Sequence, residues 1–325
     1  MMEDVLLAEV LLRRNYQDLQ FCPQDKQEDM EKSRSRGLSK AGAMLPGSVT
    51  YDAKGLLKGN LPYLQELLLP SDFRRLNEAA LVVSEQAQQA IAVNMDEHLV
   101  LKSWGGAEQV EELIEKTRLG ESQVQDDNHP FAQDAQFGFL SYRPQLAGSG
   151  LHVSLVLHLP MLHFLKQIRP LMEELQQKGC SLKPLSLLDG RNPAKLFLLS
   201  NQTSFNRSDA QIKQSVMDGT QLILGKEKML RDKAITPDGA STVLDQVWRS
   251  YGVLKYARRL NSTDFLTHWS NLRLGAQTGQ LPLTLQQVDD LLNFANDNAF
   301  LMEESDFKQF VNRRAEEVRR ALSGG

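Results

Sequence analysis

The sequence predicts an α+β protein: a small helical N-terminal part, a larger antiparallel sheet flanked by helices, and a long helical C-terminal stretch. Three observations carry this. Between residues 78 and 105, ALVVSE, QAIAVNM and HLVLKSW are short runs separated by polar turns, as antiparallel neighbours are. HVSLVLHLP alternates, placing Val153, Leu155, Leu157 and Leu159 on one face. AEQVEELIEKTRLGESQ, and nearly all the text from Ser208 onward, repeats its apolar residues at helical spacing, broken at TPDG and QLPLT.

Taken in order, residues 1–20 carry Val5, Leu6, Val10, Leu11 and Leu12 in a helix-compatible stripe that breaks at Cys22 and Pro23. Residues 24–60, with KQEDMEKSRSRGLSKAG and PGSVTYDAKG, read as a charged, solvated linker around one helix. PYLQELLLP is helical to Pro70, and SDFRRLNEA leads into the first strand. The expected boundary falls near residue 78, giving a helical unit over 1–77 and a sheet unit over 78–325. Further along, QFGFLSYRP reads as a strand into a turn, HFLKQIRPLMEELQQKG as a helix, and CSLKPLSLL and KLFLLSNQ as strands.

Composition bounds the function. At roughly 150 residues per domain, 325 residues suggest about two domains. The chain is 41% hydrophobic and 24% charged, a soluble globular balance. Lys plus Arg number 37 against 41 Asp plus Glu, so there is no basic footprint for nucleic acid. Only Cys22 and Cys180 occur, too few for a disulfide framework or a four-cysteine zinc site, and the compartment reads as reducing cytoplasm. MMEDVLLAEVLLRRN places acids before its apolar stretch, and no apolar run approaches 18 residues, so neither export nor a membrane is expected.

No HExxH, GxGxxG, P-loop, GxSxG or paired CxxC is present. His152 and His158 share a strand face and His163 follows, without metal-ligand partners nearby in sequence, so packing or surface histidines outweigh a metal site. Asp96-Glu97-His98 joins two carboxylates to an imidazole, one way to build a general base, although the spacing alone favours a turn with solvated acids. AGSG, Ala147 to Gly150, permits close backbone approach to a ligand or simply a turn.

Several blocks carry a resemblance. NMDEHLVL, FGFLSYRPQLAGSGLHVSLVLHLP, SNQ, RSYGVL and NLRLGAQTG, in this order, resemble the phosphagen (guanidino) kinase superfamily, and most closely the bacterial protein-arginine kinases. The resemblance runs from about residue 60 to the end. It implies a small helical domain on a larger antiparallel sheet, the glutamine synthetase-like catalytic fold, and transfer of the ATP γ-phosphoryl group to a guanidinium. It also implies two carboxylates on that guanidinium, a cysteine beside it and arginines on the phosphates.

Matched position by position, the family's presumed base falls on Asp96, one methylene short, with Met95 at the acid before it. Asp189 is a shifted candidate for the second carboxylate, and Arg143 stands at the cysteine, a permanent cation where the substrate is also cationic. Of the phosphate arginines, one becomes Val100, one His152, one Lys183, and two near the N-terminus become Glu9 and Leu11, leaving Arg14-Asn15. Arg191, past the acidic loop, is a cation able to compensate. Charge-assisted bonds to phosphate are worth roughly 1.5–3 kcal/mol each, so losing four removes about 6 kcal/mol or more, a factor of at least ~10⁴.

The expectation is therefore a pseudokinase, acting through regulatory or binding surfaces and needing no cofactor. The alternative is a divergent active protein-arginine kinase using ATP and Mg²⁺, with Asp96 and Asp189 as its carboxylates and Lys183, His152 or Arg143 on the phosphates. In NRRAEEVRRAL, Glu317 and Arg320 match positions of the family's phosphoarginine-reading element, while Glu316 replaces its first arginine. The same residues also suit a solvated helix with internal ion pairs. The partners implied are a phosphoarginine-containing protein, an active arginine kinase chain or its zinc-finger activator, protein-quality-control machinery, or a second copy of the chain.

Overall fold

The computed structural model describes residues 2–21, 26–52, 61–70, 78–187, 190–235, 241–296 and 307–323. In chain order the elements are β1 (Val5–Arg14), α1 (Gln27–Met44), β2 (Val49–Asp52), α2 (Tyr63–Leu67), β3 (Ala80–Val83), β4 (Gln89–Val93), β5 (Leu99–Gly105) and α3 (Val110–Val124). A two-stranded ribbon follows, β6 (Gln133–Asp134) with β7 (Gly138–Phe139), and then β8 (Leu151–His158), α4 (Pro160–Phe164), α5 (Ile168–Gln177), β9 (Cys180–Pro184) and β10 (Leu196–Asn201). The C-terminal part holds α6 (Asp209–Ala234), α7 (Thr242–Tyr256), α8 (Ser262–Gln277), α9 (Leu285–Asp290) and α10 (Phe307–Ser323).

The large sheet runs β2-β3-β4-β5-β1-β8-β10-β9, with every pair antiparallel. The expected strands at 80–105, 151–158, 180–184 and 196–201 are present, and the architecture is α+β.

The N-terminal reading needs correction. Residues 5–14 are a strand, not a helix, and the strand lies inside the sheet with β5 on one side and β8 on the other. The run VLLAEVLL is apolar in both directions because both faces of the sheet are covered here, and so dense a run satisfies a 3.6-residue stripe as easily as a strand. The sheet therefore does not begin at residue 78, and 1–77 is not a helical unit set apart from it.

The expected linker is likewise structured where it is described. α1 buries Met30, Ser33, Gly37 and Ala41. A Cβ on Gly37 would lie 2.8 Å from Val93 and 2.9 Å from Leu99, so glycine sets how closely this helix sits on β4 and β5. β2 pairs with β3 at the sheet edge. The stretches 53–60 and 71–77 lie outside the described residues.

QFGFLSYRP contributes only Gly138 and Phe139 to the small ribbon. HFLKQIRPLMEELQQKG is two helices rather than one, interrupted around Lys166, which adopts φ 58°. Where it is described, the C-terminal text is largely helical, as expected.

Both faces are layered. Ala8, Val10 and Leu12 of β1, Leu99 and Leu101 of β5, and Val153, Leu155 and Leu157 of β8 point into one core with α1, α3, α5 and α6. On the opposite face, Val156 and Leu196 pack with Val247, Phe265, Trp269 and Val318 from the C-terminal helices. Further across that face, Leu11, Leu81, Ala92, Val100 and Trp104 form a third cluster. Among the described residues no helix is long and apolar enough to cross a membrane.

Candidate functional site

Strand alternation puts Glu9, Leu11 and Arg13 on the face opposite Ala8, Val10, Leu12 and Arg14. The register brings their neighbours alongside. Glu9 is flanked by Trp104 and Ser154, Leu11 by Lys102 and His152, and Arg13 by Val100. Ser154 is in turn level with Ser200, and Ser200 with Ser181. The result is a polar band across β5, β1, β8, β10 and β9, between the two apolar clusters of that face.

The middle of the band is a closed ion pair. Lys102 Nζ donates to Glu9 Oε1 at 3.1 Å, Trp104 Nε1 donates to the same oxygen at 3.0 Å, and Ser154 Oγ donates to Glu9 Oε2 at 3.4 Å. Glu9 and Lys102 are 4% and 5% exposed, so the lysine charge is spent on the carboxylate rather than offered to a ligand.

The end of the band holds Asp96 and Arg13. Arg13 Nε donates to Asp96 Oδ2 at 3.3 Å. Burial works against the Asp96 charge, but the Arg13 guanidinium, then Lys102 and a local backbone hydrogen bond, hold its carboxyl below the ordinary aspartate value. His152 is the reverse. Burial and the nearby Arg13 charge lower its pKa to about 3, so the imidazole is neutral at physiological pH. Arg13 Nη1 and His152 Nδ1 are both buried and have no hydrogen-bond partner among the described residues.

The Asp96-Glu97-His98 triplet does not act as one cluster. Asn94, at φ 53°, turns the chain out of β4, and its N–H reaches the His98 carbonyl at 3.1 Å. Within that turn, Asp96 goes to Arg13, while Glu97, 1% exposed, accepts from Asn15 Nδ2 at 2.5 Å and from Ser141 Oγ. Burial raises the Glu97 pKa against these bonds. His98 is fully buried; Nδ1 accepts from the Tyr16 N–H at 3.1 Å, and burial lowers its pKa to about 4. The expected turn with solvated acids is corrected: only Asp96 reaches solvent to any extent, and each group answers a different partner.

The other candidates are dispersed. Arg143 is exposed in the loop whose Ser141 holds Glu97. Lys183 is exposed on the edge strand β9, level with Leu198 and thus two strands and two rows away from His152. Arg191 approaches Thr263 Oγ1 at 3.5 Å, toward α8. Asp189 lies outside the described residues. Arg14 faces the helical side: it pairs with Glu121, donates to the Ser149 carbonyl at 3.2 Å and lies 3.6 Å from the Phe139 ring centroid. Burial lowers its pKa to about 10, which leaves it charged.

At the C-terminal helix, Arg320 bonds Glu317 at 3.0 Å and Glu316 at 3.3 Å, an intrahelical ladder on an exposed face. His158 is packed against Trp269 and bonds Ser270 Oγ at 2.8 Å. Among the described residues no group of three or more His, Cys, Asp or Glu could hold a metal ion.

Sequence reasoning did not assign Lys102 or Trp104 to the site, and gave Arg13 no role. Reading residues 5–14 with period two would have put Arg13 and Glu9 on one face.

Chemically, the band offers an ionised carboxylate at Asp96, a neutral imidazole, and cations already matched to acids.

Comparison with known proteins agrees with the architecture. Residues 49–230, more than half of the chain, match the family model for the ATP:guanido phosphotransferase C-terminal catalytic domain. Residues 240–323 match the model for the protein-arginine kinase McsB C-terminal domain. A protein-arginine kinase of Exiguobacterium sp. is 27% identical over 283 residues, covering 85% of this chain and 79% of that protein. One from Caldanaerobacter subterraneus subsp. tengcongensis is 23% identical over 303 residues, covering 88% and 86%. Among solved structures, a lombricine kinase superposes with a TM-score of 0.58 at 14% identity, over 72% of this chain and 69% of that one, a likeness of fold.

Proposed function

We propose that this chain, which belongs to the ATP:guanido phosphotransferase family, is a member that does not transfer phosphate and acts instead by binding a protein. The observation that carries the reading is the Glu9–Lys102 pair. A buried carboxylate, bonded by Lys102, Trp104 and Ser154, occupies a position where the resemblance calls for a phosphate-binding arginine. The neighbouring positions are Leu11, Val100 and an imidazole held neutral at His152. Phosphoryl transfer rests on a cationic clamp around the phosphates, in which one arginine alone is worth about 10³–10⁵ in rate.

The partner proposed is a protein carrying phosphoarginine, or an active arginine kinase chain, met through α10. Glu317 and Arg320 are its contact residues, and binding requires the Arg320 ladder to open toward the phosphoryl group.

A second reading is favoured by one observation, the ionised Asp96 on the polar face. On it, the chain is a divergent arginine kinase that binds ATP with Mg²⁺, using Lys183 and Arg191 on the phosphates.

Calorimetric titration with ATP and Mg²⁺ separates the two, repeated on Asp96→Ala and Lys183→Ala. The first reading expects no heat and no thermal stabilisation at millimolar nucleotide. Binding below about 100 μM would stabilise the protein by about 1.4 kcal/mol at tenfold excess. If that stabilisation disappeared in Lys183→Ala, the second reading would replace the first.

A further inference from the structure

We infer that the cavity between α5 and the β9–β10 hairpin is a binding site for a small organic acid, a single carboxylate on an aliphatic body. It lies on the helical face of the sheet, opposite the polar band, and is independent of the reading above.

Size and floor set the body of the ligand. The cavity holds about 420 Å³, within the roughly 300–1,000 Å³ of small-molecule sites. Ile168 and Met172 of α5 line one wall, and Pro184 of β9 and Phe197 of β10 the other. Strand alternation turns Phe197 to the helical side with Leu199, which supplies the aromatic floor. The Asn192 amide in the lining is already spent, its two ends bonding the Leu196 backbone at 2.7 and 3.0 Å. Ser186 is the one hydroxyl among the described lining residues, so a sugar or other many-hydroxyl ligand would lose more water bonds than it gained.

Charge sets the head group. Lys166 and Arg169 stand in the lining, and no described lining residue is acidic. Arg169 has only a 3.9 Å approach from Glu173, both side chains being mostly exposed, and Lys166 makes no ion pair among the described residues. Lys195, beside this rim, is half-buried; its Nζ donates to the Asn192 carbonyl at 3.3 Å and meets no carboxylate among the described residues. Burial lowers its pKa. Burial and then the Lys195 charge lower that of His163, another lining residue, so the imidazole is neutral. A half-buried ammonium without a counter-charge is the partner that an incoming carboxylate lacks on an apolar floor.

Backbone conformation adds an independent observation. Lys166 and Lys195 have φ 58° and 54°, the left-handed region where glycine is the cheap choice. Lys166 closes α4: its N–H bonds the His163 carbonyl at 3.1 Å, and that of Gln167 the Leu162 carbonyl at 2.8 Å, an ending whose left-handed residue is usually glycine. Two lysines kept at strained positions on the border of one cavity place their charge where a ligand would use it.

Octanoate is the probe, with octylamine, octanol and inorganic phosphate as controls, followed by calorimetric titration and thermal unfolding without nucleotide. Octanoate at ten times its Kd should raise Tm by about 2 °C, and each control should bind at least about tenfold more weakly. Glycine suits both backbone positions, so Lys166→Gly/Lys195→Gly should unfold within about 2 °C of wild type while its octanoate Kd rises at least about tenfold. The carbon-13 signal of the Met172 ε-methyl, assigned with Met172→Leu, should shift as octanoate is added.

No heat at millimolar octanoate, octanol binding as tightly, an unchanged Kd in the double variant, or a Met172 signal that stays still overturns the inference. Should the double variant not fold, the wild-type Met172 signal decides. A shift with octanoate and none with octylamine supports the site, and a shift with both overturns it.

Discussion

The Glu9–Lys102 pair gives the sharpest test of how the polar band is held. Glu9→Leu leaves the Lys102 ammonium buried without its counter-charge and takes the acceptor from Trp104 Nε1. Breaking one side of a buried pair costs about 3–5 kcal/mol, and orphaning a buried N–H about 1–3 more. The single variant should lose about 4–8 kcal/mol, comparable to the whole stability of many domains.

Glu9→Leu/Lys102→Leu removes both charges, leaving the indole as the main loss. Replacing a buried pair by apolar side chains of similar volume is often neutral, so the double variant should sit within about 1–3 kcal/mol of wild type and be more stable than either single. Urea unfolding followed by tryptophan fluorescence reads this directly, because Trp104 is part of the cluster. If Glu9→Leu costs less than about 1 kcal/mol, or if the double variant loses the sum of the two singles, Lys102 is not held by Glu9 as described.

Three further expectations follow from groups outside the band. Burial, opposed by the N–H groups of Leu162 and Met161, raises the Glu227 pKa to about 7 from 4.5. The folded state therefore binds the extra proton, and this contribution is present below about pH 4.5 and lost as pH rises through 7; relative to Glu227→Gln, wild type should lose about 3 kcal/mol between those limits. Urea midpoints at pH 5 and pH 7.5 check it, and a wild type that gains stability on Glu227→Gln as pH rises contradicts it. Gly150 has φ 66°, and a Cβ there would lie 2.4 Å from Arg14 Nη1 and 2.9 Å from the Arg13 carbonyl oxygen; Gly150→Ala should cost about 2 kcal/mol or more, seen as a lowered Tm. Arg320→Ala removes only an exposed ladder and should change stability by less than about 0.5 kcal/mol, so the folded variant cleanly tests phosphoarginine-peptide binding by fluorescence polarisation.

The legible parts of this chain are those where one period wins. Leu155 and Leu157 alternate with Ser154 and Val156, and that alone placed β8 and its buried face. Val5 to Leu12 defeats the same method because both faces are covered, and the error moved a central strand into a separate helical unit. Asp96 was reachable from its neighbours in sequence. Its partner Arg13 lies 83 positions away and becomes visible only once the strand register is known. Glu97 looked solvated because the groups that satisfy it, Asn15 and Ser141, come from other segments, as does the Tyr16 N–H that bonds His98. The neutrality of His152 depends on burial, which no spacing of residues encodes.

The central place of β1 has a consequence for how the chain is made. Residues 5–14 leave the ribosome long before β5 at 99–105 and β8 at 151–158, the two strands that close their hydrogen bonds. At about 5–20 residues per second, the interval before β8 is complete is roughly 8–30 s. Until β5 is made, roughly 5–18 s after β1, this strand of mostly apolar residues has neither native neighbour, and one of its edges stays open until β8 follows. Nascent β1 is thus the segment most exposed to chaperones and to wrong pairing, and folding of the sheet waits on the half-finished chain rather than proceeding from its beginning.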